Sequence, residues 1–275
     1  MLQPVDPGEA LVRRLARHEA SVHATGTRVV RDLGDAVLLH DPVDHEPFWN
    51  RIVAPDWPAT DREFGRRIDE IITLFATLDR LPHIRTLPLA NQPADLGARL
   101  GTAGFDTVGV DRSMILVDGA PSLRLAHSFS RRPDLALEHV GRGPELRAIE
   151  VARLLVQAFD VESDRVPALG AETLAAGRRP DGAVLLVLVA GQPAAVARRV
   201  TQGGGTYLSS IATAPPLRGR GYGTLVTALA VAEALDAGTE FVHLLVEESN
   251  HVAIGVYERL GFIRLGEPIL DLLLR

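Results

Sequence analysis

LRGRGYGTL, at residues 217–225, places three glycines at alternate positions directly before an apolar, alanine-rich segment. The pattern predicts a loop of unusual backbone freedom followed by a helix that begins near Tyr222. A helix N-terminus presents free N–H groups and the positive end of the helix dipole, and both favour an anion such as phosphate. Arg218 and Arg220 add positive charge at the same place. The stretch therefore predicts an anion-binding loop, with a plain glycine turn as the alternative.

Two other kinds of phosphate or cofactor site are excluded by residues that the chain lacks. A dinucleotide-binding fingerprint that starts at Gly219 needs a glycine at position 224, where this chain has Thr224. All 29 basic residues are arginine. Without a lysine, the chain can form neither a Walker A loop nor a Schiff base with pyridoxal phosphate.

The composition indicates a water-soluble protein of ordinary character. Of its 275 residues 46% are hydrophobic and 23% are charged, with a net charge of −6, which argues against nucleic acid and anionic membrane as partners. There is no cysteine, hence no disulfide and no thiolate metal site. The opening residues lack the features of a secretion signal, and the longest apolar run, Ala183–Ala190, is too short for a membrane span. We expect a cytoplasmic protein without a metal site.

The C-terminal half reads as a mixed α/β sheet. Its periodicities predict helices at 146–159, 222–236 and 250–260, and strands at 183–189, 194–200, 206–213, 241–246 and 269–274. The segment 160–179 between the first helix and the first strand contains Asp160, Glu162, Asp164 and Glu172. Those carboxylates could attract a cationic amine, although exposed loops are commonly acidic.

The N-terminal half repeats this plan in outline. AVLL occurs at residues 36 and 183, and a Gly-Phe pair occurs at residues 104 and 261. The predicted helix 61–78 takes the place of the glycine-loop helix, but no glycine precedes it until Gly65. We therefore predict a domain at 1–125 that lacks the phosphate loop and a second domain at 126–275, joined by a linker within 119–133.

The polar stretch HDPVDHE at residues 40–46 suggests metal ligands by composition. Because it contains a proline and follows a predicted strand, we interpret it as a loop between strands.

Two motifs of the second half resemble those of the GNAT superfamily of N-acetyltransferases. Its motif A, Q/R-x-x-G-x-G/A, is matched by Arg218, Gly221 and Gly223. Its motif N-x-x-A-x-x-x-Y-x-x-x-G-F is matched by Asn250, Ala253, Tyr257, Gly261 and Phe262. The resemblance covers residues 133–275 well and the first half only in outline. It implies an α/β (α+β) fold of two GNAT-like domains, each a mixed, mostly antiparallel sheet flanked by helices.

The resemblance also implies a cofactor, acetyl-CoA or another short acyl-CoA. The loop would hold its pyrophosphate through Arg218, Gly219, Arg220, Gly221, Tyr222, Gly223 and Thr224. The end of the preceding strand, Ile211, Ala212 and Thr213, would pair its backbone with the pantetheine arm. Thr213 stands where the family usually has valine, which matters little for a backbone contact. Asn250 would contact the cofactor, cap its helix, or both.

Tyr257 holds the position of the family's general acid. A neutral tyrosine can protonate a departing thiolate at pH 7, although a half-buried tyrosine can also serve only packing. A backbone amide near Thr213 is expected to stabilise the oxyanion. Candidates for the general base stay open: Glu247, Glu248, Tyr207, Ser209 and Ser210. At the positions that align with Tyr257 and Asn250, the first half has Leu100 and Pro93.

These features predict an acetyl-CoA-dependent N-acyltransferase that moves an acetyl group directly to a primary amine. The acceptor is expected to be a small-molecule or peptide amine, and the protein a monomer or homodimer. Two alternatives stay open: an acyl-CoA-binding sensor without activity, and a tandem transferase that uses aminoacyl-tRNA. The net charge and the absence of lysine weigh against a large RNA partner.

Overall fold

The computed structural model describes residues 8–88 and 93–275. The first seven residues, used above to assess a secretion signal, lie outside the described part. The helices are α1 Glu9–His23, α2 Asp61–Thr77, α3 Leu96–Thr102, α4 Ala120–Ser128, α5 Leu146–Phe159, α6 Val166–Arg178, α7 Tyr222–Asp236 and α8 His251–Arg259. The strands are β1 Val29–Asp32, β2 Val37–His40, β3 Arg51–Val53, β4 His83–Arg85, β5 Asp106–Leu116, β6 Leu135–Val140, β7 Gly182–Val189, β8 Gln192–Gln202, β9 Gly205–Thr213, β10 Phe241–Glu247, β11 Phe262–Arg264 and β12 Ile269–Leu273.

The chain forms two compact units, each discontinuous in sequence. Unit I comprises residues 8–114 with Leu245–His251 and Arg264–Arg275. Unit II comprises Ile115–Leu244 and Val252–Ile263. The units do not coincide with the division expected at residue 125, because the last strand, β12, pairs with β4 and β5 of unit I.

Unit I is a mixed sheet with strand order β1-β2-β3-β4-β12-β5. Its described pairings are antiparallel except for β3 and β4, which are parallel and are joined by α2. Helix α2 buries one stripe at helical spacing, Phe64, Ile68, Ile71 and Phe75. The stripe packs on apolar residues of the strands and on Trp57, forming the core of this unit.

Unit II has the strand order β10-β9-β8-β7-β6. The antiparallel run β6 to β9 is followed by a parallel pair, β9 and β10, joined by α7. Helices α5 and α6 cover one face of the sheet, and α7 with α4 covers the other. Both units therefore have the predicted fold, a mixed and mostly antiparallel sheet flanked by helices.

Helix α7 is buried around most of its circumference. Leu225, Val226, Ala228, Ala230 and Val231 are among its buried residues. The cause is its position between the sheet and α4, where more than one side of the helix meets protein. Small alanine side chains allow this close packing.

Two segments differ from the sequence interpretation. The expected linker 119–133 contains α4 and a short 3₁₀ turn, and Ser122 of α4 donates a buried hydrogen bond to the carbonyl of Leu260 at 2.8 Å. The acidic segment 160–179 is mostly α6 rather than a loop.

The repeat between the two halves is better defined by topology than by the AVLL match. The elements β3-α2-β4 correspond to β9-α7-β10, since each is a parallel pair joined by a helix. In unit I the AVLL stretch lies on β2, the second strand before α2. In unit II it lies on β7, the third strand before α7, so the AVLL match aligned strands that do not correspond. The Gly-Phe match is consistent with the topology, since Gly104 follows α3 and Gly261 follows α8.

Candidate functional site

The glycine loop lies at the N-terminus of α7, as the sequence predicted. Gly219 and Gly221 have φ angles of +77° and +81°, and Gly221 is the residue before the first helical position. A side chain strains this left-handed backbone, so glycine is required at both positions. The helix begins at Tyr222, and the first amides of α7 have no carbonyl partner within the helix.

The space over the loop is open. A Cβ atom built on Gly219 or on Gly221 would meet no other atom within 4 Å. A Cβ atom on Gly223 would lie 2.7 Å from Oγ1 of Thr213, so here glycine lets the helix approach the end of β9. The exposed loop thus leaves open space above its two left-handed glycines at the N-terminus of α7, and this arrangement fits a pyrophosphate.

The charge around the loop is also suited to an anion. Arg218 and Arg220 are exposed, and the first turn of α7 contains no acidic residue. Among the described residues, Arg220 has no hydrogen-bond or ion-pair partner. Tyr222 is 8% exposed, so its backbone amide rather than its ring is available to an anion at the loop. Thr224 is half-buried in the same turn.

The corresponding helix of unit I has the opposite charge. Its first turn carries Asp61 and Glu63, and Thr60 before it donates a hydrogen bond to Oε2 of Glu63 at 2.7 Å. Carboxylates at a helix N-terminus occupy the electrostatic position that a phosphate would take. Leu100, aligned with Tyr257, has no exposed surface.

Strands β9 and β10 separate beside the glycine loop. Their parallel pairing runs from Gly205 and Phe241 to Leu208 and Leu244. Within the part of the chain that the structure describes, β9 beyond Leu208 pairs with β8 alone. Ala212 lies opposite Val196 and Thr213 opposite Ala195, while Ile211 falls in an irregular stretch. The free edge of β9 can therefore accept an extended group.

The irregular stretch is a bulge centred on Ser210. Its φ angle is +49°, and the β8–β9 register shifts between Val196 and Arg198. A bulge re-aims the backbone amides of the strand, and bulges are common next to active sites. The bulge lies directly before Ile211, Ala212 and Thr213, the residues that the sequence analysis expects to pair with the pantetheine arm of the cofactor.

Tyr257 lies on α8 with 6% of its surface exposed. Its ring is tilted against that of Phe262, with 6.1 Å between the centroids. Burial raises the pKa of its hydroxyl to about 12. No described residue forms a hydrogen bond with this hydroxyl, which stays protonated at neutral pH.

Asn250 is exposed and directly precedes the first residue of α8, the N-cap position. Its backbone N–H donates to the carbonyl of Glu247 at 2.9 Å.

The candidate bases differ in their partners. Glu248 accepts two hydrogen bonds from Arg112, at 2.7 and 2.8 Å, and these hold the pKa of its carboxyl below its usual range. Glu247 is exposed and accepts a bond from the hydroxyl of Ser249 at 2.6 Å. Tyr207 is buried, with its ring 5.0 Å from that of His243. The ion pair with Arg112 therefore makes Glu248 a poor base.

The HDPVDHE stretch is organised by Asp41. Its carboxylate accepts hydrogen bonds from the amides of Val43 and Asp44 and from the side chains of Thr27 and Arg28. Within residues 8–88 and 93–275, histidine, aspartate and glutamate side chains form no group of three or more that could hold a metal ion. None of the helices in those ranges combines the length and apolar character that a membrane crossing needs.

The sequence analysis did not single out Arg198, which lines a cavity beside the bulge. The Arg198-Arg199 pair in an otherwise apolar strand is the signal that could have identified it, since alternation sends one of the two side chains to each face of the sheet.

Comparison with protein families finds one match. Residues 145–262 match the model of the acetyltransferase (GNAT) family. A search of curated proteins finds no match.

Several solved structures share the fold over nearly the whole chain. A GCN5-related N-acetyltransferase from Kribbella flavida has a TM-score of 0.69 and 20% identity, covering 96% of this chain and 95% of that chain. One from Sphaerobacter thermophilus has a TM-score of 0.59 and 19% identity, covering 93% and 84%. A tandem GNAT protein from the clavulanic acid biosynthesis pathway has a TM-score of 0.56 and 15% identity, covering 92% and 86%.

Proposed function

We propose that this protein is an acetyl-CoA-dependent N-acyltransferase, because residues 145–262 match the model of the acetyltransferase (GNAT) family. It transfers an acetyl group to the primary amine of a small molecule or peptide. The observation that carries the proposal is the glycine loop, with its two left-handed glycines, exposed amides and open space at the N-terminus of α7.

The loop residues 218–224 bind the pyrophosphate through their amides, and Arg220 supplies an exposed positive charge. Ile211, Ala212 and Thr213 provide the strand edge for the pantetheine arm, and an amide of this stretch donates to the carbonyl oxygen of the acyl group. Asn250 stands at the start of α8, where a cofactor contact and helix capping are compatible. Acetyl-CoA, or another short acyl-CoA, supplies an activated acyl group as a thioester.

Tyr257 is the general acid. Its raised pKa keeps the proton on its hydroxyl oxygen at neutral pH. A thiol has an ordinary pKa of ~8.5, so its thiolate is a weaker base than this tyrosinate. Proton donation to sulfur therefore depends on the position of the tyrosine hydroxyl rather than on its acidity. The hydroxyl has no competing hydrogen bond among the described residues, and it can therefore turn to a bound group.

The halves of the chain have different roles in this proposal. Residues 126–275 are the acyltransferase domain. Residues 1–125 are a degenerate copy that does not bind the cofactor, because Asp61 and Glu63 oppose a phosphate and Leu100 has no hydroxyl. The tandem GNAT protein noted above has the same overall fold. We propose a cytoplasmic monomer or homodimer that acts without nucleic acid or membrane.

A second candidate is an acyl-CoA sensor without activity. The observation that favours it is the ion pair of Glu248 with Arg112, which removes Glu248, one of two adjacent carboxylates at the end of β10, from use as a base.

The experiment that separates the two functions is a thiol-release assay with acetyl-CoA and a panel of amines. The chain contains no cysteine, so a thiol reagent reports free CoA without background from the protein. The transferase releases thiol only in the presence of an acceptor, and Tyr257→Phe lowers the rate while acetyl-CoA still binds. Binding without turnover on any amine would identify the sensor.

A further inference from the structure

Helix α4 leads back to the glycine loop. Its start lies near the last residues of α7, since a Cβ atom built on Gly119 would lie 2.7 Å from Cδ1 of Leu235. The helix packs along α7 and continues into the 3₁₀ turn Phe129–Arg131. Beyond that turn, Arg132 interacts with the hydroxyl of Tyr222, the first residue of α7. The two helices therefore run antiparallel, and the C-terminal end of α4 lies beside the start of α7.

Arg132 fastens the end of α4 at this place. Its guanidinium donates two hydrogen bonds to the carboxylate of Asp134, at 2.9 and 3.0 Å. These bonds and the charge of Asp134, with a smaller contribution from the hydroxyl of Tyr222, raise the pKa of the Arg132 guanidinium. Because the backbone amide of Tyr222 belongs to the glycine loop, Arg132 lies one tyrosine side chain away from the proposed pyrophosphate site.

Arg131 has no such engagement. It is exposed, and within the described ranges no residue forms a hydrogen bond or ion pair with its guanidinium. It precedes Arg132 directly, so its charge is held next to the glycine loop, where Arg220 is also without a described partner and the first turn of α7 has no acidic residue. A planar guanidinium in this setting has two parallel N–H donors available for an anion.

The donor in the proposed function carries an anion at a matching separation. Coenzyme A has a phosphate monoester on the 3′ oxygen of its ribose, one sugar ring away from the pyrophosphate. A phosphate monoester carries about 1.5–2 negative charges at pH 7, more than either phosphate of the pyrophosphate. A ribose and a tyrosine side chain are similar in length, so a pyrophosphate at the loop brings the 3′-phosphate within reach of the turn that contains Arg131.

We propose that Arg131 binds the 3′-phosphate of the acyl-CoA donor. Arg132, Asp134 and Tyr222 hold the turn in place, and the guanidinium of Arg131 donates to the phosphate oxygens. The inference rests on the proposed function and specifies its donor. The donor is a thioester of complete coenzyme A, rather than one of 3′-dephospho-CoA or of a phosphopantetheine arm on a carrier protein.

The test is a calorimetric titration of acetyl-CoA and of acetyl-3′-dephospho-CoA into the wild type. The two compounds differ only in the 3′-phosphate, so the ratio of their Kd values reports that group alone. We expect acetyl-CoA to bind about tenfold more tightly at low salt, the factor for one charge-assisted hydrogen bond. High salt should reduce the ratio, because the pair is exposed and therefore screened.

Variants at exposed arginines assign the effect to one residue. Arg131→Gln should remove most of the ratio by weakening acetyl-CoA alone, and Arg131→Lys should keep part of it. The matched control is Arg142→Gln. Arg142 is exposed, and its side chain has no partner among the described residues. Its amide bonds to the carbonyl of His139, whose ring pairs with Glu233 near the other end of α7. This variant should keep the full ratio.

Equal affinity of the wild type for the two compounds would overturn the inference. A ratio that Arg131→Gln leaves unchanged, or that Arg142→Gln also removes, would do the same. In each of these cases acetyl-CoA still binds, so the proposed function stands and the inference alone fails. If neither compound binds to the wild type, the proposed function fails first. The substituted positions are exposed, so the comparison uses folded protein throughout.

Discussion

The guanidinium of Arg218 donates a hydrogen bond to the backbone carbonyl of Ala158, with 2.8 Å between Nη2 and the oxygen. Ala158 lies in the last turn of α5, where carbonyls have no partner within the helix. Asp160 ends this helix in the left-handed conformation, with φ of +54°. The bond therefore joins the glycine loop to the end of the helix that leads into the acidic segment.

Arg218→Ala should loosen the end of α5. Loss of the charged donor leaves the Ala158 carbonyl to water and removes a favourable cation at the helix C-terminus. We expect faster amide hydrogen exchange at residues 159–162 and weaker binding of acetyl-CoA. Arg220→Ala is the matched control, since Arg220 has no partner in the described protein. It should weaken binding and leave exchange at 159–162 unchanged. Unchanged exchange in Arg218→Ala would contradict this coupling.

Tyr257→Phe should lower kcat by about 10²–10⁴-fold, the range for loss of a general acid. The ring and its contact with Phe262 are kept, so the affinity for acetyl-CoA measured by calorimetry should not change. Because the neutral form is the donor and burial raises the pKa to about 12, the wild type should retain this donation above pH 10, where an ordinary tyrosine loses it. A variant with wild-type kcat would leave Tyr257 with a packing role.

Asp271→Asn should destabilise unit I strongly. Asp271 accepts bonds from Arg85 at 2.8 and 3.0 Å and contacts His83 at 3.0 Å, all in a buried setting. Burial by itself would raise the pKa of this carboxyl, but the charge and hydrogen bonds of Arg85 and His83 lower it well below its usual range. Removing the charge weakens two buried hydrogen bonds of Arg85, which keeps Asp111 at 3.1 Å and Glu19 at 3.6 Å as ion-pair partners, so we expect a cost of about 1–3 kcal/mol at pH 7.

The pH dependence of this effect has a definite sign. A carboxyl with a depressed folded-state pKa stabilises the fold above its unfolded pKa of ~3.9 and loses that contribution as the pH falls toward the folded value. The difference between wild type and Asp271→Asn, measured by denaturant unfolding, should therefore be constant above about pH 5 and shrink below about pH 4. The control is Asp134→Asn, whose exposed pair with Arg132 should give no measurable change. A difference that grows at low pH would contradict the assignment.

Sequence patterns were sufficient where a single local rule sets the structure. The helix beginning at Tyr222 and the strands from 183 to 246 follow from periodicity and glycine positions. Patterns were insufficient where tertiary contacts determine the structure of a segment. Helix α4 occupies a segment rich in turn-forming residues, and it is held by packing on α7 and by the Ser122 bond to Leu260.

The course of the C-terminal strand also depends on long-range contacts. Nothing in the sequence ILDLL of β12 shows that it pairs with β4 and β5 rather than with strands of unit II. The same holds for the candidate site. The motifs locate the loop and Tyr257, but the cavity lined by Arg198 and Glu172 needs residues from separate elements to meet.

The most direct test of the central claim is a calorimetric titration of acetyl-CoA into the wild type and into Gly221→Asp. The aspartate strains a backbone with φ of +81° and places a negative charge over the proposed pyrophosphate site. Gly191→Asp is the control, because Gly191 has φ of +78°, an open surface position and no role in the loop. We predict micromolar binding by the wild type and by Gly191→Asp, and none by Gly221→Asp. Equal binding by all three, or none by the wild type, would contradict a cofactor site at the glycine loop.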